Sequence, residues 1–145
     1  MTKEALIKKW KGNKRYTLKF VEAMPEQNYD LKPVIGMKTY KSQLAHITSW
    51  LRTHSRFVTD YEFEKEKMTS KDQINSALET FFDTFLEHLA AMNDVQLHET
   101  VPVWYGKTAR YQIANVMDNH LAHHRGQLVV YLRLNDIKPP SYVGW

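Results

Sequence analysis

Four stretches of this chain carry apolar residues at helical spacing, separated by polar or charged segments. In the first, Leu6, Ile7, Trp10, Thr17, Phe20, Val21 and Met24 share one face, which predicts a helix from near Thr2 to Ala23 with a weak point at Gly12-Asn13. Pro25 ends it, and Glu26 to Gly36 reads as a connection punctuated by Pro33 and Gly36. The second helix is expected from about Thr39 to Thr59, with Tyr40, Leu44, Ile47, Trp50, Leu51, His54, Phe57 and Val58 on one broad arc. A solvated, charged segment from Glu62 to Met68 follows. Ser70 and Gln73 have the spacing of a capping box, and the third helix continues to about Met92 on the stripe Ile74, Leu78, Phe81, Phe82, Phe85 and Leu89.

Between Asn93 and Lys107 the alternation of apolar and polar residues is partial and Pro102 interrupts it. An extended crossover is expected there rather than a strand in a sheet. Such a connection lets the third and fourth helices lie out of sequential order. Trp104 and Tyr105 are placed either to pack over the end of the core or to line the mouth of a pocket. The fourth helix is expected from an N-cap at Thr108 to Asn135, where Asn135-Asp136 and then Pro139-Pro140 stop it.

Composition agrees with this pattern. A chain of 145 residues, 43% hydrophobic and 12% aromatic, is long enough for one sizeable core and is read as a single domain, 1–145. Five Gly and five Pro favour long helices over turn-rich β architecture, so the fold class is all-α. The absence of Cys excludes a disulfide scaffold and thiolate ligands, and fits a cytoplasmic location. Neither a signal peptide nor a membrane span is legible. The net charge of +4 concentrates at Lys8, Lys9, Lys11, Lys14 and Arg15. These residues spread around an amphipathic helix and match no nucleic-acid module, so they read as a solvated surface.

The chemistry concentrates in Asn119-His120-Leu121-Ala122-His123-His124-Arg125-Gly126-Gln127 on the fourth helix. His120 and His124 are four apart and project from one face, amid Ile113, Met117, Leu128 and Tyr131. Two neutral imidazoles there can converge on one metal ion, whereas protonated rings would repel each other. The pair needs at least a third ligand from elsewhere. Helical azimuth nominates His46 or His54, with a lean to His54, nearer the middle of its arc. His123 reads as a flank of the pair, and Arg125 points towards solvent or a neighbouring chain. Gly126 suggests close packing of another helix. Leu121 stands where the zinc-protease pattern needs Glu, so the motif supplies no general base. His88 and His98 are isolated and belong to no site.

The Leu44-Ala45-His46-Ile47 segment, the Asn119-to-Gln127 run, Val130-Tyr131-Leu132-Arg133 and the Pro139-Pro140-Ser141-Tyr142 ending together resemble the DinB family, of the DinB/YfiT-like superfamily. The resemblance implies a four-helix bundle of up-down-down-up topology, frequently a homodimer. It implies a divalent metal, nickel or zinc, held by His46, His120 and His124, with His46 displacing His54 as the third ligand. Relatives include thiol transferases that use low-molecular-weight thiols, so a small-molecule or thiol substrate is implied for a metal-dependent S-transferase or hydrolase. His123, His54 and Tyr131 are then candidates for proton transfer or for orienting the ligands. The alternative is a non-catalytic metal-binding protein of a stress response. Contact with nucleic acid or membrane is not expected.

Overall fold

Thr2 starts the first helix. Its hydroxyl accepts the Ala5 amide N–H at 3.2 Å, and α1 then runs from Lys3 to Ala23. In the computed structural model, which describes residues 1–142, a 3-10 turn at Glu26–Asn28 leads to α2 (Tyr40–His54) and the short α3 (Arg56–Thr59). Beyond the charged connection lie α4 (Lys71–Ala91), α5 (Asp94–His98), strands β1 (Thr100–Val103) and β2 (Gly106–Ala109), and α6 (Arg110–Leu134). The last three residues of the expected domain fall outside the described range.

Each long helix is terminated by the chemistry of its ends. The Ser70 hydroxyl accepts the Gln73 N–H at 3.2 Å, while the Gln73 side-chain oxygen accepts from the Thr69 N–H at 3.0 Å, so only half of the expected capping box forms. The expected second helix divides at Ser55, whose hydroxyl donates to the Arg52 carbonyl at 3.1 Å. Asp60, in the left-handed region at φ 62°, then ends α3.

The segment expected to cross over without pairing is a hairpin. β1 and β2 pair antiparallel in the register Thr100↔Ala109 to Val103↔Gly106. The Arg110 N–H to Glu99 carbonyl bond of 3.1 Å, just outside the pair, sets the alternation of the ladder. It puts Pro102 opposite Lys107 in a non-hydrogen-bonded pair, where a missing N–H costs nothing. Gly106, at φ 116°, closes the two-residue turn of Trp104 and Tyr105 in a conformation that L side chains rarely adopt. Trp104 and Tyr105 stand exposed at its tip instead of covering the core. Because β2 takes Thr108, the α6 N-cap is Ala109, whose N–H donates to the Gln112 side chain at 3.3 Å.

α1 and α2 each pack against both α4 and α6, so contacts run around a ring α1–α4–α2–α6. Trp10 anchors the centre, fully buried among Phe81, Phe82 and Phe85, with the Phe85 ring 4.9 Å away and nearly perpendicular. Gly12-Asn13 is a contact point rather than a weak point, and α1 passes through it unbroken. Asn13 donates to Asp118 at 2.8 Å and accepts from Arg125 at 2.9 Å, and Lys9 pairs with Asp118 at 2.9 Å. Arg125 is therefore buried against α1, bonded also to Thr17 at 3.2 Å and lying over the Tyr16 ring, not directed to solvent. Gly126 faces open space, and among the described residues no other helix packs on it.

Contacts between helix ends fix their relative directions. The Lys3 side chain reaches the Ala90 carbonyl at 3.2 Å, and Lys71 reaches the carbonyls of Glu22 and Met24 at 3.1 and 3.0 Å. Tyr40 donates to the Phe20 carbonyl at 2.5 Å. Arg110 donates to the Val58 carbonyl at 3.0 Å at the same end as the Lys3 contact, and Tyr131 returns to the Lys38 carbonyl at 2.5 Å at the Tyr40 end.

Candidate metal centre

Helices α2 and α6 carry the site between them. His46 comes from the middle of α2, and His120 and His124 from successive turns of α6. One ring nitrogen of each falls within 4.8 Å of those of the other two. Nε2 of His120 and Nε2 of His124 are 3.1 Å apart. Bonds of roughly 2.0–2.1 Å to one ion would hold neighbouring ligand nitrogens slightly more than 3 Å apart, so this pair already has the required spacing. His46 faces both rings, its centroid 4.7 Å from that of His124 and 5.4 Å from that of His120.

Burial tunes these groups for the neutral state. The His120 imidazole is pushed down to about 4 by burial and then by the neighbouring rings of His124, His46, His54 and His123. His46 is lowered by burial and by the Lys38 charge. His124 is lowered by burial, against which its hydrogen bond to Gln127 works in the opposite sense. Near pH 7 all three rings are neutral, the form in which imidazole donates a lone pair to a metal. Three neutral nitrogens without thiolate or carboxylate suit a borderline divalent ion such as zinc or nickel, so the residues fit the group that the donor set implies.

Neighbours hold two of the rings in different ways. His124 Nδ1 donates to the Gln127 carbonyl oxygen at 2.9 Å, and that oxygen also accepts from Gln43 Nε2 at 2.5 Å. His120 Nδ1 is buried with no hydrogen-bond partner among the described residues. Its ring lies instead on Trp50, with centroids 3.8 Å apart and planes at 12°. None of Gln43, Gln127 and Trp50 was assigned a role from the sequence. The available signal was spacing: Gln43 lies three before His46, and Gln127 three after His124, one helical turn in each case.

His54 does not join the three. It stacks on Trp50 at 3.8 Å and donates through Nδ1 to the Trp50 carbonyl at 2.8 Å. Although helical azimuth leans to His54, it is half-buried His46, at the edge of the α2 arc, whose ring faces His120 and His124. His123 is exposed and its Nε2 accepts from Gln127 at 3.3 Å. The Tyr131 hydroxyl is committed to the Lys38 carbonyl, and burial raises its pKa, so it is a poor proton donor to substrate. His88 contacts Tyr61 and His98 contacts Tyr111, both away from the cluster.

The sequence profile of the DinB family matches residues 1–143, and the chain belongs to that family. A DinB-like protein from Bacillus cereus is 21% identical, with a TM-score of 0.84 over 97% of this chain and 97% of that one. A DinB-like protein from Bacillus subtilis is 15% identical, with a TM-score of 0.76 over 97% and 96%. A candidate DinB-family member from Exiguobacterium sibiricum is 21% identical, with a TM-score of 0.70 over 92% and 91%. At these identities the likeness establishes the fold alone. No curated protein matches the sequence significantly. Among the described residues, no helix is long and apolar enough to cross a membrane.

Proposed function

We propose that His46, His120 and His124 hold one divalent ion, zinc or nickel, in an up-down-down-up bundle of α1, α2, α4 and α6. We further propose that the protein is a metal-dependent enzyme of the thiol S-transferase or hydrolase type. The helix-end contacts support the topology: α1 meets the start of α2 and of α4 at one end, and α6 returns from the other. The observation that carries the functional reading is a group of three imidazoles, held neutral by burial, with one ring nitrogen of each within 4.8 Å of the others. Three protein ligands leave a position for substrate, as in catalytic rather than structural sites. When bound there, a divalent ion supplies a Lewis acid that brings the pKa of a water or thiol towards neutrality.

The chain's own residues provide the cradle. His120 is braced by Trp50 and His124 by Gln127. Lys38, whose charge acts on both His46 and His124, gives the rim a positive character suited to an anionic substrate group such as a thiolate or carboxylate. The test is turnover of a small electrophile with a low-molecular-weight thiol, and of simple esters, by zinc- or nickel-loaded protein against a chelator-treated control. Metal-dependent turnover is expected.

The second reading is a metal-binding protein without catalysis, acting in a stress response. It is favoured by the engagement of the Tyr131 hydroxyl with a backbone carbonyl, which removes one candidate for proton transfer. Metal binding with no turnover over a broad substrate panel would select it. We also propose a homodimer, supported by the exposed apolar side chains of Val116, Val130 and Leu134 along one face of α6.

A further inference from the structure

We propose that Gln127 and Gln43 form a positioning pair that selects which nitrogen of His124 faces the metal centre. This rests on the three-His reading. A neutral imidazole carries one N–H and one lone pair, and the partner of one nitrogen decides which role the other takes. The Gln127 carbonyl oxygen can only accept, so the 2.9 Å contact assigns the proton of His124 to Nδ1. Nε2 is left with the lone pair, and it is Nε2 that lies 3.1 Å from His120.

The Gln127 amide is itself held in one sense. Its oxygen receives the Gln43 N–H at 2.5 Å, and its Nε2 donates to His123 Nε2 at 3.3 Å. In this arrangement the Gln43 oxygen is, among the described residues, the one buried amide atom of the pair without a partner. Reversing both amides would put the Gln43 NH2 group in that place, leaving two buried donors unsatisfied instead of one acceptor. The reversed network is therefore the costlier one. It would also transfer the His124 proton to Nε2 and remove the ligand lone pair.

The same contact ties the two ligand-bearing helices together. Gln43 is one turn before His46 on α2, and Gln127 is one turn after His124 on α6. A single amide–amide bond thus sets both the tautomer of one ligand and its distance from the helix that carries another. Neither glutamine is a ligand; both act through His124.

Long-range nitrogen–proton NMR of the imidazoles in metal-free protein, paired with zinc titration, tests this. Wild-type His124 is expected as the Nδ1–H tautomer. Gln127→Leu should mix its tautomers and weaken zinc binding by about 10- to 100-fold, the usual effect of losing a partner that orients a metal ligand. Gln127→Glu keeps an acceptor for Nδ1–H and should restore both signals, which a merely structural role would not predict. An Nε2–H tautomer in wild type, or wild-type zinc affinity in folded Gln127→Leu, would overturn the proposal. If the wild-type chain binds no zinc at all, the metal centre fails, yet the tautomer measurement on metal-free protein still decides the positioning pair.

Discussion

Trp50 lies flat against His120, with ring centroids 3.8 Å apart and planes at 12°. His54 stacks at the same distance and 18°, and two rings so close must occupy opposite faces of the indole. The indole is therefore a spacer between a candidate ligand and a residue that braces it. His120 Nδ1 has no hydrogen-bond partner among the described residues, so beyond its Nε2 contact with His124 the ring is held by this stack.

Replacing Trp50 should accordingly loosen the site as well as the fold. Trp50→Ala is expected to lower stability by about 2 kcal/mol, below the usual core value because the residue is half-buried, and to weaken zinc binding by roughly tenfold. Trp50→Phe retains a ring face and should keep most of both. Urea denaturation and zinc titration of the two variants check this; equal zinc affinities for both would remove the bracing role.

The metal-free protein should lose stability in mild acid. His120 is held at about 4, and His46 and His124 below their ordinary 6.5. Between those limits the unfolded chain binds more protons than the folded one. The contribution is therefore complete above about pH 6.5 and declines as pH falls towards 4. Urea midpoints of chelator-treated protein at pH 7.5, 6 and 5 should fall in that order, and His120→Asn should flatten the decline. A slope unchanged by that substitution would show that these rings do not carry it.

The polar contact between α1 and α6 should prove structural. Asn13→Ala removes an acceptor from the buried Arg125 and a donor to Asp118, and should destabilise by about 2 kcal/mol. Its zinc affinity should match wild type. A urea midpoint within error of wild type would mean that water replaces both bonds at no cost.

Sequence pattern carried most of the helical framework because amphipathic stripes such as Ile74 to Leu89 have one solution, burial on one side. The hairpin was illegible for a local reason. Pro102 argues against pairing unless its register is known, and register is a property of the partner strand. Arg125 was misplaced because charge alone suggested solvent, whereas Asn13, Thr17 and Tyr16 on a distant helix supply its surroundings. At the site, the His120–His124 pair followed from spacing within one helix. Helical geometry leaned to His54 because the rotation of α2 against α6 is encoded in no single helix, and the choice of His46 came from the resemblance to the DinB family.

Solution mass is a separate check on assembly. Light scattering at high micromolar concentration should give twice the 17.2 kDa chain mass, and Val130→Lys should shift it towards the monomer. A monomer mass for the wild-type chain at that concentration would remove the dimer.

Metal content per chain decides whether His46, His120 and His124 hold an ion. Wild type, His46→Ala, His120→Ala and His54→Ala should be loaded with zinc or nickel, desalted and analysed by elemental mass spectrometry alongside circular dichroism to verify folding. About one ion per chain is expected in wild type and in His54→Ala, with most of it lost in folded His46→Ala and His120→Ala. Loss in His54→Ala with retention in His46→Ala, or no bound ion in wild type, would contradict the account.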